Sequence, residues 1–287
     1  MNSQPVDYEI KIETSDNYTI TMYIDYFNSR LRIDDYRGNL AAIAEKVKAL
    51  SKHYAFSKII WKAREHDWPT LMQQGYVLEG IFKHYFNGDH AYSMCCYLEQ
   101  SRKNSNHWLK EDEIITNIYG LDIQGEQSNL NEDYIIRHGT LKDVQQLSVL
   151  YDTVFKVYPT PMNEPDYLKK IIKEGTVFYA AEYKGKIISA ASAEINYTYH
   201  NAELTDCATY IEHRKNGLMK HLILQLEKEL KKKQIYCAYS LSRALSFGMN
   251  QVFYQLGYQY NGRLINNCYI FDKLEDMNVW VKDLSHS

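Results

Sequence analysis

Apolar positions recur in this chain at two spacings, every second residue and every third or fourth, and the switches between them outline its elements. The second half is the more regular. Tyr134–Arg137 reads as a strand, and Thr140, with Asp143 in the first turn, caps a helix running to Val157. A proline-rich loop, Tyr158-Pro-Thr-Pro161, leads to a helix over Pro165–Lys173 that Gly175 ends. Strands over Thr176–Tyr183, Lys186–Tyr197 and Ala202–Tyr210 follow, joined by tight turns. Leu218, Leu222, Leu226 and Leu230 form the apolar stripe of a helix from about Lys215 to Lys233, with Lys220, Glu227, Lys228 and Lys231 on its other faces. Tyr236–Leu241 is a strand, Ala244–Leu256 a helix, and two strands close the chain. The order is β-α-α-β-β-β-α-β-α-β-β, an α/β layer architecture with a mixed sheet.

The first half alternates similarly. Tyr18–Phe27 reads as a strand and Asp34–Gly38 as a polar loop, and Asn39 caps a helix to Leu50. Lys58–Ala63 is a short strand, and Gly75 stops a short helix over Trp68–Gln74. Tyr76–Tyr85 and Ala91–Leu98 make a hairpin turned by Asn87-Gly88. His66 and Asp67, just before a helix, read as a cap and a solvated charge. Arg102–Asp133 is dense in Asn, Ser, Gly and charge and reads as a linker, with Leu109–Ile118 a strand or short helix inside it. The boundary falls near Asn131, giving units 1–130 and 131–287.

Composition narrows the function. A formal net charge of -3 argues against nucleic acid as the main partner. The 26 tyrosines fit half-buried strands. Five cysteines without C-x-x-C spacing offer neither a disulfide framework nor a zinc site, and no metal is expected. Met1–Ile12 has no apolar signal core, and no run reaches the 18 or so apolar residues of a membrane span. A reduced, soluble, cytoplasmic protein is expected, with no membrane partner; nothing here sets its oligomeric state.

The chemistry concentrates where the Ala202–Tyr210 strand meets the long helix. Arg214-Lys-Asn-Gly217-Leu-Met219 joins them through a basic, glycine-containing turn. Such a turn aims backbone N–H groups at one point, the helix dipole adds partial positive charge, and Arg214 and Lys215 add full charges, which together suit a phosphate. The short pattern alone is weak: Gln259-Tyr-Asn-Gly262 repeats it with no helix following.

With this turn after its fourth strand, the region from about 132 to 287 resembles the GNAT superfamily of N-acetyltransferases. The resemblance implies a mixed, mostly antiparallel sheet flanked by helices, with the pyrophosphate of acetyl-coenzyme A on the turn. The thioester arm would lie where the strand before the turn splays from the next. The family pattern Gln/Arg-x-x-Gly-x-Gly/Ala lacks its last small residue here, where Met219 stands. Ala208, Thr209, Tyr210 and Ile211, then Arg214, Lys215, Asn216, Gly217, Leu218 and Met219, are the implied cofactor contacts. Ser246 takes the place where an asparagine often touches coenzyme A.

A closer resemblance is to the β-lysine N6-acetyltransferases. It rests on Ala244-Leu-Ser-Phe-Gly-Met-Asn250, Gly257-Tyr258, Met277-Asn-Val-Trp-Val-Lys282, the Tyr158–Pro161 loop with Asn163-Glu-Pro165, and Thr205-Asp-Cys-Ala-Thr209. It implies acetyl transfer to the terminal amine of β-lysine, giving the compatible solute Nε-acetyl-β-lysine. Another primary amine, such as a polyamine or a protein lysine, and a non-catalytic acyl-coenzyme A sensor remain open. The first half also shares a local pattern: Gln73-Gln-Gly-Tyr reads like Gln255-Leu-Gly-Tyr, with Gly75 and Gly257 182 residues apart. It is read as a degenerate GNAT-like α/β domain without the phosphate turn, structural or shaping the acceptor pocket.

A lysine-type amine, with a pKa near 10.4, must lose a proton before it attacks a thioester. Glu203 is the first candidate base; Ala202-Glu-Leu-x-x-Cys-Ala208 resembles the strand of histone-type members that begins with a catalytic glutamate. A regular strand puts Thr205, Cys207 and Thr209 on the face of Glu203 and Asp206 on the opposite one. Glu194 is the next candidate, as base or as anchor for the second amine. The family tyrosine acid falls four residues before the final glycine, at Phe253, so Tyr254 is one place late. Tyr158 is a further substrate contact, and Arg243 and Arg263 are candidates for the substrate carboxylate.

Overall fold

The computed structural model describes residues 8–121, 130–155 and 157–285. Strands β1 (Tyr8–Thr14), β2 (Tyr18–Asp25) and β3 (Arg30–Gly38) form a meander. Helix α1 (Leu40–His53) crosses over to β4 (Lys58–Ala63), and α2 (Trp68–Gln73) leads to the hairpin β5 (Val77–His84) and β6 (Gly88–Tyr97). Helices α3 (Gln100–Lys103) and α4 (Trp108–Tyr119) follow. The second half runs β7 (Tyr134–His138), α5 (Val144–Val154), α6 (Pro165–Glu174), β8 (Val177–Tyr183), β9 (Lys186–Asn196), β10 (Asn201–Thr209) and α7 (Leu218–Lys232). It closes with β11 (Cys237–Arg243), α8 (Phe247–Gln255), β12 (Gln259–Ile270) and β13 (Lys273–Asp283).

Local chemistry explains several boundaries. The Asn39 side chain accepts from the Ala42 N–H at 3.0 Å and starts α1. Thr140 and Asp143 form a reciprocal capping box before α5. The stripe Leu218, Leu222, Leu226 and Leu230 is fully covered under the sheet. Glu227 is buried too, contrary to its expected place on an outer face, and is held by Lys282 at 2.9 Å.

The described strands form one sheet, ordered β1-β2-β3-β4-β6-β5-β12-β13-β11-β10-β9-β8-β7. The order repeats. In the first half β1-β2-β3-β4-β6-β5 stand as β8-β9-β10-β11-β13-β12 do in the second, and in each the third and fourth strands pair in parallel. The halves meet where Gly80 of β5 pairs with Gly262 of β12, positions again 182 residues apart. Antiparallel pairing of equivalent residues makes this joint a local two-fold. A Cβ on Gly262 would stand 2.3 Å from the Glu79 carbonyl, and its φ of +132° is glycine territory. Around the joint Phe82 and Tyr85 pack with Tyr239, Leu264, Met277 and Val279 in a shared core. Lys58, fully buried, donates to Glu79 at 2.7 Å and to the Ile265 carbonyl at 2.6 Å.

Two expectations for the first half are corrected. Asp34–Gly38 belongs to β3 and is not a loop. Its charged residues alternate with buried Leu31, Ile33 and Tyr36, so a polar face disguised a strand. Residues 8–14, expected only as a polar N-terminus, form the edge strand β1. Within the expected linker, Leu109–Ile118, read as a strand or short helix, is the helix α4, whose Ile115 and Ile118 join the core of the second half; residues 122–129 of that linker lie outside the described residues. All five cysteines are free, and no helix among the described residues is long and apolar enough to cross a membrane.

Candidate active site

A cavity of about 320 Å³ opens between the two halves. Its second-half wall carries Glu194 of β9, Glu203, Thr205 and Asp206 of β10, and Tyr239 of β11, with Tyr158–Thr160 and Tyr167 beside it. Its first-half wall carries Tyr23, Arg30, Arg32 and Lys62. Sheet geometry sets its position. Parallel pairing of β10 with β11 stops at Glu203 and Tyr239, although both strands continue, so the sheet opens there. The Ser240 hydroxyl, donating to the Leu204 carbonyl at 2.7 Å, spans the start of the gap.

A bulge decides which side chains face this cavity. Thr205 stands opposite Ser192 but Ala208 opposite Ala190, so β10 carries one extra residue between them. Asp206 takes a φ of +52° there. Glu194, Ser192 and Ala190 alternate along β9 and share a face. Glu203 and Thr205 therefore share it before the bulge and Ala208 after it. The expectation that Asp206 points away is wrong: the Ser192 hydroxyl donates to its carboxylate at 2.6 Å, and Asp206 lines the cavity with Glu203. Thr209 is instead turned toward Ser189, their hydroxyls 2.7 Å apart.

Three carboxylates thus share one cavity, and Glu194 and Glu203 are direct cross-strand partners. Burial first, then the charges of Asp206 and Glu203, pushes Glu194 up to about 8, although the residue, which lines the cavity, remains exposed. Asp206 is pushed up to about 6 by burial and by Glu203, against hydrogen bonds from Ser192 and Tyr158. Burial also raises Glu203, against Lys62, Arg32 and a hydrogen bond from Tyr239. The cluster is short of positive charge and suited to receive an ammonium group.

The cations opposite are mostly engaged. Arg30 pairs with Asp25 at 2.8 Å and donates to the Asn267 carbonyl at 2.8 Å. Lys62 pairs with Asp34 at 2.9 Å and reaches the Tyr85 hydroxyl at 3.0 Å. Arg32 pairs with Asp34 at 2.9 Å. Burial opposes ionisation of Asp34, but Arg32 and Lys62 hold it well below the usual carboxylate range.

The basic turn follows β10. Arg214, Lys215, Asn216 and Gly217 are exposed, and Lys215 and Gly217 have φ of +67° and +72°. Helix α7 therefore starts at Leu218, three residues later than the sequence suggested. No side chain caps it and its first turn holds no acid, so the turn is open to an anion. Of the donors expected upstream, the Tyr210 N–H is spent on the Ile188 carbonyl at 3.0 Å, and Ile211 is exposed.

Other candidates land elsewhere. Arg243 pairs with Glu275 at 2.8 Å and stacks over Phe271. Arg263 is buried, pairs with Asp112 at 2.9 Å and lies over Trp108 of α4. Neither arginine lines the cavity; their charge holds helix and strand positions. Tyr254 does not reach it either: its hydroxyl donates to the Tyr119 carbonyl at 3.4 Å and its ring meets Tyr119 edge to face. Ser246 opens α8 without capping it. Tyr158 does line the cavity and reaches Asp206 and Thr205. Sequence reasoning missed Asp206, Tyr239, Arg32 and Lys62. The Arg30-Leu-Arg32-Ile alternation was the available signal for Arg32.

Comparisons with known proteins give the family. The acetyltransferase (GNAT) family profile matches residues 143–258. Over 275 residues the chain is 41% identical to the N-acetyltransferase YodP of Bacillus subtilis, covering 96% of this chain and 100% of that one. It is 36% identical over 272 residues to a β-lysine N6-acetyltransferase of Methanosarcina mazei, covering 87% and 100%. A β-lysine N6-acetyltransferase of Methanococcus maripaludis is 29% identical over 259 residues, covering 90% and 94%.

Proposed function

The chain belongs to the GNAT acetyltransferase family as an acetyl-coenzyme A-dependent N-acetyltransferase, and from that premise we propose that it acetylates the terminal amine of β-lysine. The observation that carries this reading is the bulge, which gathers Asp206 with Glu203 and Glu194 at the mouth of the β10–β11 gap. Two relatives named for this acceptor support it.

In this reading the pyrophosphate of acetyl-coenzyme A rests on Arg214–Met219, and the thioester arm enters the gap. The cosubstrate supplies an acetyl group activated as a thioester. Asp206, fixed by Ser192 and Tyr158, draws the ammonium of the acceptor to the gap by charge. Glu203, hydrogen-bonded by Tyr239, takes the proton that frees the amine. The nitrogen then bonds to the acetyl carbon, the carbon–sulfur bond breaks, and the second proton leaving the nitrogen passes through water to the departing thiolate. Glu194 faces the second amine. The product is Nε-acetyl-β-lysine, a compatible solute.

Incubating the protein with acetyl-coenzyme A and a panel of amines, read by mass spectrometry, tests the acceptor. A single acetyl on N6 of β-lysine is expected, with stoichiometric thiol release. Preferred acetylation of a polyamine or a peptide lysine would replace the acceptor and keep the chemistry. Binding without thiol release would mark a sensor.

A further inference from the structure

The two walls of the cavity are opposite in charge, and they come from equivalent strands. Glu203 is the third residue of β10, and Arg32 is the third residue of β3, the strand in the same place in the first half. Arg30 and Lys62 have their charge and donors engaged, with side chains 7% and 14% exposed. The Arg32 side chain is 30% exposed and lines the cavity. Among the described residues its hydrogen bonding is to Asp34 alone, through Nη2. The guanidinium lies over the Tyr23 ring, 4.4 Å from ring centroid to Cζ. A guanidinium with one occupied arm, packed on a tyrosine ring beside the cavity, is prepared for a second carboxylate.

We propose that Arg32 receives the carboxylate of the acceptor, so that the first half of the chain determines which amines are acetylated. The inference rests on the reading of β-lysine as acceptor and deepens it. An amine held only by Glu203 and Asp206 would include every diamine of suitable length. A cation on the opposite wall selects those that end in a carboxylate and disfavours polyamines, whose far end is cationic. Arg32 acts by positioning and takes no part in proton transfer.

The test compares β-lysine with its carboxamide, which differs in lacking the negative charge, by thiol release under steady-state conditions. The wild-type protein is expected to prefer the acid by roughly 10- to 100-fold in kcat/KM, the range of a charge-assisted hydrogen bond. Arg32→Gln should bring that ratio close to one, by raising KM for the acid far more than for the amide, while any change in kcat through the nearby Glu203 is shared by both substrates. Arg32→Lys, which keeps a charge beside Asp34 but loses the planar fork, should fall between them. An unchanged ratio in Arg32→Gln overturns the proposal, as does an equal loss on both substrates. If Arg32→Gln is inactive throughout, Arg32→Lys decides: an intermediate ratio supports the proposal and a wild-type ratio overturns it. Wild-type protein that uses acid and amide equally well overturns the role of Arg32 and leaves the acceptor standing. Wild-type protein that acetylates neither, but another amine, overturns both.

Discussion

The two halves share a strand order, and one connection shows most clearly how they differ. In the first half β3 passes to α1 through Asn39, whose side chain caps the helix and occupies the donor of Ala42. In the second half β10 passes to α7 through residues 210–217, which arch outward, end at Gly217 and leave the helix uncapped. One helix start is closed by its own side chain and the other is open to an anion. The facing walls differ likewise, with Arg30, Arg32 and Lys62 on one and Glu194, Glu203 and Asp206 on the other. In the proposed reading, function therefore resides in a turn, a bulge and a charge pattern placed on a repeated architecture.

The sharpest way to break this comparison is to remove the acid at the strand position that Arg32 occupies in the other half. Glu203→Gln keeps the shape and removes the base. We expect kcat near pH 7 to fall roughly 100- to 10,000-fold, about 3–5 kcal/mol in the barrier. The deficit should shrink toward pH 10, where the substrate amine deprotonates unaided. Affinity for coenzyme A, measured by calorimetry, should hardly change. Full activity at pH 7 would move the role of base to Asp206 or Glu194. An equal deficit at every pH would make Glu203 an electrostatic anchor.

The joint offers a structural contrast. Gly262→Ala drives a Cβ into the backbone of Glu79 and Gly80 at a φ that L residues avoid. We expect about 3 kcal/mol of destabilisation and a melting temperature lower by roughly 5–10 °C. Gly80→Ala meets the Val279 side chain first, at 3.0 Å, and should cost clearly less because that methyl can shift. Equal melting temperatures for the two variants would show that the joint yields as one flexible unit.

The two helix starts come next. Gly217→Asp puts a carboxylate at the open turn and a side chain at a φ of +72°. Coenzyme A affinity should drop roughly 10- to 100-fold, the scale of a lost charge-assisted contact. Asn39→Gly at the capped helix should leave that affinity unchanged and cost stability only a few tenths of a kcal/mol. Unchanged coenzyme A binding in a folded Gly217→Asp variant would place the pyrophosphate elsewhere.

Much of the second half was legible because its elements are strictly periodic. β8, β9, β10 and α7 fall within a few residues of their expected bounds, since long apolar patterns admit few alternatives. What escaped was of two kinds. Asp206 was put on the wrong face because a bulge leaves no period of its own; one extra residue reverses every side chain beyond it. β3 was read partly as loop, and Arg32 missed, because a strand whose polar face lines a cavity looks like a solvated one. Arg243 and Arg263 were taken for substrate contacts because their partners, Glu275, Glu111 and Asp112, are brought to them only by tertiary structure.

The smallest expected effect concerns how the acidic wall is held in the absence of an acceptor. The folded-state pKa of Glu194 lies above its ordinary value, raised by burial and by Asp206 and Glu203. A carboxyl raised on folding binds its proton more tightly in the native state. Its contribution to stability is therefore full below the unfolded pKa, near 4.3, and is lost as pH rises through about 8. Glu194→Gln is neutral at every pH and escapes that loss. Its melting temperature should come closest to the wild type near pH 4 and exceed it by pH 9; because Glu194 is exposed, solvent screening keeps the gap to on the order of a degree or two. No such gap is expected for Arg37→Gln on the exposed end of β3. β-Lysine should close the Glu194 gap, because an ammonium beside the carboxylate favours its charged form and draws its pKa back down. A gap that persists with saturating β-lysine would put the second amine away from Glu194.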